Sequence, residues 1–276
     1  MITTIGLFRI INDNMTHKEG HDFFRIGRTR ISITDENRAI NTIKEAIHNK
    51  QKGYVCISTL RTVVIANKDD KYQEVMENSL MNTPDGTPLV WCGHWWGLKE
   101  VQRACGPHIF PRMLKEKEPE LKHFFFGDTE DTLAALTKKA TEEYGANVVG
   151  SYSPPFKPLE EYDIQGMAKM INESGATIVW TALRAPKQDI LDSMITPYLN
   201  DGIIMVGVGA AFRSVLGVLK QPDGVLQKMG LAGILFKRPE SSWWNEIKWY
   251  FKHTLYLMKY FFIIKWKRLI GKKYYE

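Results

Sequence analysis

Five runs of this chain are rich in apolar, β-branched or aromatic residues: YVCIST (54–59), HFFFG (123–127), NVVGSYS (147–153), TIVWTAL (177–183) and GIIMVGVGAA (202–211). Between them lie segments whose apolar residues recur at helical spacing: 63–78, 131–145, 159–175 and a stretch near 187–200. A shorter unit precedes these, with a strand at Arg30–Ile33 and a helix over 35–50, for which Thr34 or Asp35 is the N-cap. Strands apolar on both faces and alternating with helices predict an α/β fold. Its sheet is Rossmann-like, mainly parallel and covered by helices on both faces. Such sheets bind ligands beyond the carboxyl ends of their strands. The residues to watch therefore follow strands: Thr59, Gly127, Leu183 to Gln188, and Gly207 to Ala211.

The 276 residues divide into an N-terminal extension (1–24), an α/β domain (25–240) and a C-terminal appendage (241–276). The N-terminal region has no long apolar stretch, so no signal peptide and no export are expected. Three cysteines, Cys56, Cys92 and Cys105, fit neither a disulfide framework nor a metal spacing and suit a reducing cytosol. A net charge of +6 points to an anionic partner. Much of this charge lies in the appendage, where eight Lys and Arg residues fall between 248 and 273, interleaved with aromatic residues. Lys248, Lys252 and Lys259 share one helical face, and lysines at 252, 259 and 265 interrupt any uncharged stretch of the roughly 20 residues that a bilayer span needs. A basic, aromatic helix of this kind lies in a membrane interface, on an anionic leaflet. The alternatives are a helix that mediates homo-oligomerisation and one docked on the core. Nucleic acid is not expected as a partner, because the basic residues sit in an apolar tail rather than along a polar face.

Several residues carry the candidate chemistry. Pro84-Asp85-Gly86 is turn chemistry placed directly before an apolar helix. Asp85 is either a solvated turn residue or a carboxylate at the lip of an apolar site, able to act as a base. RAPKQD (184–189) follows a strand, Pro186 suits the first turn of a helix, and Arg184 and Lys187 bring positive charge to an anion. VGVGAAF (206–212) ends another strand with Gly207 and Gly209, which let a ligand approach the backbone. Gln188 can hydrogen-bond a sugar or a base, and Arg103 either reaches a diphosphate or is a solvated helix residue. Trp91 is assigned to the core, and His94 to no function. Asp69 and Asp70 are adjacent, so a strand would point them to opposite faces, and they sit within the helical segment 63–78; Asp128 and Asp131 read as helix-start acids; and the seven histidines are scattered, so neither a metal nor another cofactor is expected.

TPDGTPLVW, FFFG, ALRAPKQD, MVGVGAAF and MGLAG resemble, in that order and spacing, blocks of the WecG/TagA/CpsF glycosyltransferases, over about residues 28–255. The resemblance implies an inverting transfer of an N-acetylmannosamine-type sugar. The donor would be a UDP-sugar and the acceptor a sugar linked to polyprenyl diphosphate, in synthesis of a cell-surface polysaccharide such as a teichoic acid or an exopolysaccharide. The enzyme would sit on the inner, cytoplasmic face of the membrane, held by the basic appendage. Asp85 then corresponds to the catalytic Asp and Thr59 to the characteristic Thr at the preceding strand end. Ala185, Pro186, Lys187 and Gln188, with Gly207, Gly209 and Ala210, correspond to the UDP-contacting blocks. Gly86, Arg103, Gly127 and Arg184 join them as substrate-binding positions. The sequence departs from the family pattern at Arg61, where Asn is usual, at His108 in the Gly106-Pro107-His108 block, at Asp189 and at Ala232. Arg61 and His108 either recognise a different sugar substituent or mark a weakened enzyme. In the latter case the chain is a membrane-docked protein that binds a UDP-sugar or glycolipid.

Overall fold

In the computed structural model, described over residues 22–219 and 243–275, six parallel strands form one sheet. A hairpin of β1 (Phe23–Ile26) and β2 (Thr29–Ser32) comes first, followed by α1 (Glu36–His48). Asp35 caps α1 by accepting hydrogen bonds from the Asn37 and Arg38 amides at 2.8 and 3.0 Å. Next come β3 (Gly53–Ser58), α2 (Leu60–Ala66), α3 (Asp70–Glu77), β4 (Met81–Pro84), α4 (Thr87–Trp96) and α5 (Gly106–Lys115). The chain continues through β5 (His123–Gly127), α6 (Glu130–Glu142), β6 (Val148–Tyr152), α7 (Ile164–Ser174), β7 (Ile178–Ala182), α8 (Lys187–Ile195), β8 (Ile204–Gly207) and α9 (Ala211–Val215). The last helix is α10 (Trp243–Leu269).

The sheet order is β4-β3-β8-β7-β5-β6, so all six carboxyl ends meet along one rim. β7 leads to β8 on one side, while its neighbour β5 leads to β6 on the other, so the topological switch falls between β7 and β5. Side-chain alternation explains why the strands read as apolar throughout. Val55, Ile57, Phe125, Ile178, Trp180, Ile204 and Val206 pack on one face with α1, α5, α6 and α9. Tyr54, Cys56, Phe124, Phe126, Val179 and Met205 pack on the other with α7 and α8. A third cluster joins the hairpin, α2, α3 and α4 to Leu257, Tyr260 and Ile264 of α10. Each fully buried large apolar side chain contributes about 1.5–3 kcal/mol.

The structure corrects four sequence-level assignments. The segment 63–78 is two helices, because Asn67 ends α2 and Asp69 caps α3 through the Tyr72 amide. Residues 81–84 form a strand, β4, which the sequence reading missed because Asn82, Thr83 and Pro84 break the apolar pattern; all four residues are nevertheless buried. The helix placed at 159–175 starts as a single 3₁₀ turn, and its α-helical part begins at Ile164, capped by Asp163. Trp91 is only half-buried, and the core tryptophan of that cluster is Trp96. Of the N-terminal extension, residues 1–21 lie outside the described residues, as do Ala232 and the 240/241 boundary.

Candidate functional site

The rim gathers the sequence-derived candidates in strand order. Asp85 and Gly86 follow β4, Thr59 and Arg61 follow β3, Gly207 to Ala210 end β8, Leu183 to Gln188 follow β7, and Gly127 ends β5. Neighbouring strands lie about 4.8 Å apart, so the Asp85 and Arg184 ends, three strand steps apart, are separated by about 14 Å.

Asp85 is held on both sides of its backbone. Its amide donates to the Ser58 carbonyl at 2.9 Å, and its carbonyl accepts from Arg103 Nε at 2.6 Å. The carboxylate Oδ1 lies 3.3 Å from Arg103 Nη2, with side chains 25% and 23% exposed for Arg103 and Asp85. This is not a solvated turn. Burial raises the proton affinity of Asp85 above the ordinary carboxylate range, and the Arg103 guanidinium partly offsets that rise. Gly86 is the N-cap of α4 and lets Leu89 close the first turn onto its carbonyl at 2.9 Å.

His108 stands near this corner, with Nδ1 2.6 Å from Glu36 Oε1. Arg112 approaches the other Glu36 oxygen at 3.5 Å. Burial acts to raise the Glu36 pKa, but the His108 hydrogen bond and nearby positive charge leave it below its ordinary value. Gly106 brings the start of α5 against the β8 loop, since a Cβ there would meet the Val208 carbonyl at 2.9 Å. Glu36, Cys105 and His108 have ligand atoms within 4.8 Å of one another. The Cys105 thiol is buried and pushed up to about 12, and Glu36 already holds His108 and Arg112, so the trio is poorly suited to a cation.

Thr59 caps the short helix α2. Its hydroxyl accepts from the Thr62 amide, while Thr62 Oγ1 accepts from the Thr59 amide at 2.9 Å. Arg61 sits half-buried in the turn that follows.

The β7 loop is tightly built. Arg184 is exposed at φ +63°, and the Ala185–Pro186 bond is cis. Lys187 does not point into open space. Its ammonium donates to the Lys157 carbonyl at 2.8 Å and to the Tyr162 hydroxyl at 3.0 Å, and it lies over the Tyr162 and Phe156 rings. Between this loop and the 3₁₀ turn at 159–161 opens a cleft of about 420 Å³, lined by Leu159, Leu183, Arg184, Pro186 and Ile190 among others. Phe156, fully exposed, stands beside Lys187.

Gln188 is 2% exposed and packs against Gly207, where a Cβ would lie 2.7 Å from Gln188 Nε2 and 3.0 Å from Asp189 Oδ1. Gly209 adopts φ +55°, and Ala210 is exposed. Gly127 is bare for a structural reason. At φ +106° its missing Cβ would sit 2.8 Å from the Ala182 carbonyl, so it allows β7 to approach. The next residue, Asp128, forms a two-pronged ion pair with Arg213 at 2.9 Å on each prong.

Sequence reasoning missed the partners beneath the rim. Tyr72 donates to Asp189 Oδ2 at 2.5 Å, and Thr181 donates to Asp192 Oδ1 at 2.8 Å. Both acids are buried in α8 beside Leu191 and Ile195, and burial pushes Asp189 up to about 7. The three-residue spacing of Asp189 and Asp192 among apolar neighbours was the available signal. Glu36 is a first-turn acid of α1, and no local pattern ties such a residue to His108 72 residues away.

In comparison with protein families, the model described as the glycosyl transferase WecG/TagA/CpsF family matches residues 24–263.

Proposed function

Because the chain belongs to the WecG/TagA/CpsF glycosyltransferase family, which acts in cell-surface polysaccharide synthesis with a sugar donor and an acceptor, we propose the following reaction. An N-acetylhexosamine of the N-acetylmannosamine type passes with inversion from a UDP-sugar to a sugar on polyprenyl diphosphate. Asp85 is the general base. It takes the proton of the acceptor hydroxyl as that oxygen bonds to the anomeric carbon, while the bond from that carbon to the diphosphate oxygen breaks and UDP leaves. The observation that carries this reading is the half-buried Asp85 carboxylate, fixed by Arg103 and with raised proton affinity, on the ligand-bearing rim. General-base assistance of this kind contributes about 10²–10⁴-fold.

Negative charge on the departing UDP is met by Arg184 and Arg61 on the same rim, which take the part a divalent ion plays elsewhere. The nucleotide end lies in the cleft beside Arg184, and the sugar end reaches toward Asp85. The span of about 14 Å suits an extended nucleoside diphosphate sugar. Gly209 and Ala210 lie between the two ends and leave the backbone open to the diphosphate, whereas the space at Gly207 is taken by Gln188 and Asp189.

The C-terminal helix docks on the inner leaflet of the cell membrane. Among the described residues no helix is long and apolar enough to cross a membrane. Phe251, Leu255, Met258, Phe262, Trp266 and Leu269 recur every three or four residues and are all exposed, with exposed Lys252, Lys259 and Lys265 beside them. An apolar stripe rimmed by lysines supports interfacial insertion.

The test combines a panel of UDP-N-acetylhexosamines and a lipid-diphosphate acceptor with the Asp85→Asn variant. Turnover without added metal and in the presence of a chelator is expected, with a loss of about 10²–10⁴-fold in Asp85→Asn and an unchanged circular dichroism spectrum. Wild-type turnover by that variant would remove Asp85 as the base. UDP binding with no product from any donor would favour a binding protein.

A further inference from the structure

We infer that Arg268, in the C-terminal helix and remote in sequence from the rim, is a positioning residue for the Asp85–Arg103 pair. The inference rests on the reading of Asp85 as the base. The chain from 85 to 103 is a loop out and back. It leaves the rim at Asp85, runs down α4, turns at Gly97 and returns through 98–103 to place Arg103 on Asp85. The far end of this excursion is where α10 grips it. Arg268 Nη1 donates to the Trp95 carbonyl at 2.6 Å, in the last turn of α4. Its guanidinium lies over Gly97, where a Cβ would come within 3.4 Å of Nη2. Gly97 adopts φ +94°, so a bare residue both closes the helix and leaves room for the arginine. A cation at a helix C-terminus also suits the dipole. Phe261 adds an edge-to-face contact with the Trp95 ring at 5.0 Å between centroids.

The returning strap is short and pinned to α4 at Leu98 and Val101, on either side of the exposed Lys99 and Glu100, so a shift at the Trp95 end is passed along it. Leu98 donates to the Gly93 carbonyl at 3.0 Å, and His94 Nε2 lies 3.0 Å from the Val101 carbonyl. A Cβ on Gly93 would meet Val101 at 3.0 Å. Gln102 and Ala104 then donate to the Thr34 and Pro84 carbonyls, each at 3.0 Å, which sets the register of the residue between them, Arg103. Besides Arg103, the charged and titratable groups that act on Asp85 most strongly among the described residues are His108, Glu36 and the Cys105 thiol, and none of them lies on this strap. Loosening the clamp therefore acts on Asp85 through Arg103.

The experiment follows the Asp85 carboxyl by ¹³C NMR titration, assigned by its loss in Asp85→Asn, in Arg103→Ala, Arg268→Ala, Arg268→Gln and the Arg103→Ala/Arg268→Ala double variant. Arg268→Ala is expected to move the Asp85 midpoint upward, in the direction of Arg103→Ala but by less, and to add nothing in the Arg103→Ala background. Arg268→Gln keeps an amide NH₂ donor without the charge, restores part of the shift and serves if the alanine variant does not fold. In parallel, kcat/KM with a short, water-soluble acceptor and no vesicles is expected to fall about tenfold or more, with its acid limb displaced the same way. An Asp85 titration unchanged in both Arg268 variants, or a shift that persists without Arg103, would overturn the inference. A wild-type protein that turns over no donor would instead defeat the reading of Asp85 as base, and the titrations would still decide what Arg268 does.

Discussion

Gly207 carries no side chain, and two buried side chains use the space. A Cβ would come within 2.7 Å of Gln188 Nε2 and 3.0 Å of Asp189 Oδ1, so Gly207→Ala is expected to cost about 1–3 kcal/mol in denaturant unfolding, with some loss of donor affinity as Gln188 shifts. The bare residue was visible in the sequence as Gly-x-Gly, but its physical reason was not, because the crowding comes from a helix 19 residues earlier in the chain. Asp189 gives a pH prediction. Its acid is held protonated up to about 7 in the fold, chiefly by burial, whereas an unfolded aspartate ionises near 3.9. Below about pH 4 both states are protonated and the group is neutral to stability. Between about 4 and 7 the unfolded state ionises first, so stability declines by about 1.4 kcal/mol per pH unit from this group, and the decline ends above the folded pKa. Asp189→Asn is expected to flatten that part of a melting-temperature profile, and an unchanged slope would assign the titration elsewhere. The Asp85 candidate itself was legible from Pro-Asp-Gly against an apolar run, whereas its partner Arg103, 18 residues on, was only one of two open readings.

At the scale of elements, the strands of the sheet interior were legible because both faces are covered, which leaves an unbroken apolar run. β4 was not, because its Asn82 and Thr83 are polar and yet fully buried. Asn82 Nδ2 donates to the Met76 carbonyl at 2.7 Å, a contact that periodicity cannot foresee. The break between α2 and α3 is organised by one residue in the same way. Asn67 donates to the Ile26 carbonyl, Thr29 Oγ1 and the Val63 carbonyl, and accepts from the Arg28 amide, all at 2.9–3.0 Å. It thus fastens the hairpin to the end of α2. Asn67→Ala strands several of these groups at once and is expected to destabilise by at least about 1–3 kcal/mol, read as a lower denaturant midpoint at unchanged slope. Asn67→Asp, which keeps the acceptor but loses the donors, is expected to recover little of it.

The whole molecule joins its catalytic sheet to a helix with two unlike faces. Leu257, Tyr260 and Ile264 are buried in the cluster that also holds the hairpin and α4, while Phe262 and Trp266 face outward. The lysine spacing of this helix was legible, but which apolar residues face inward was not, because nearly the whole circumference is apolar. Two measurements separate the faces. Leu257→Ala is expected to cost about 2–5 kcal/mol of stability, as a core truncation does. Phe262→Glu together with Trp266→Glu is expected to leave the melting temperature near wild type and to abolish flotation with anionic vesicles; persistent flotation would contradict a membrane-docked helix. Deleting the helix outright also removes Leu257, Tyr260 and Ile264 from the core cluster and so cannot report on membrane binding alone. The order of synthesis gives this packing another meaning. Arg25 donates its amide to the Tyr274 carbonyl at 2.9 Å, so a segment made early on the ribosome is completed by one made some 250 residues later. Until those residues emerge, the hairpin and α4 present a bare apolar wall to solvent, and a nascent chain stalled before residue 257 is a natural client for a holding chaperone.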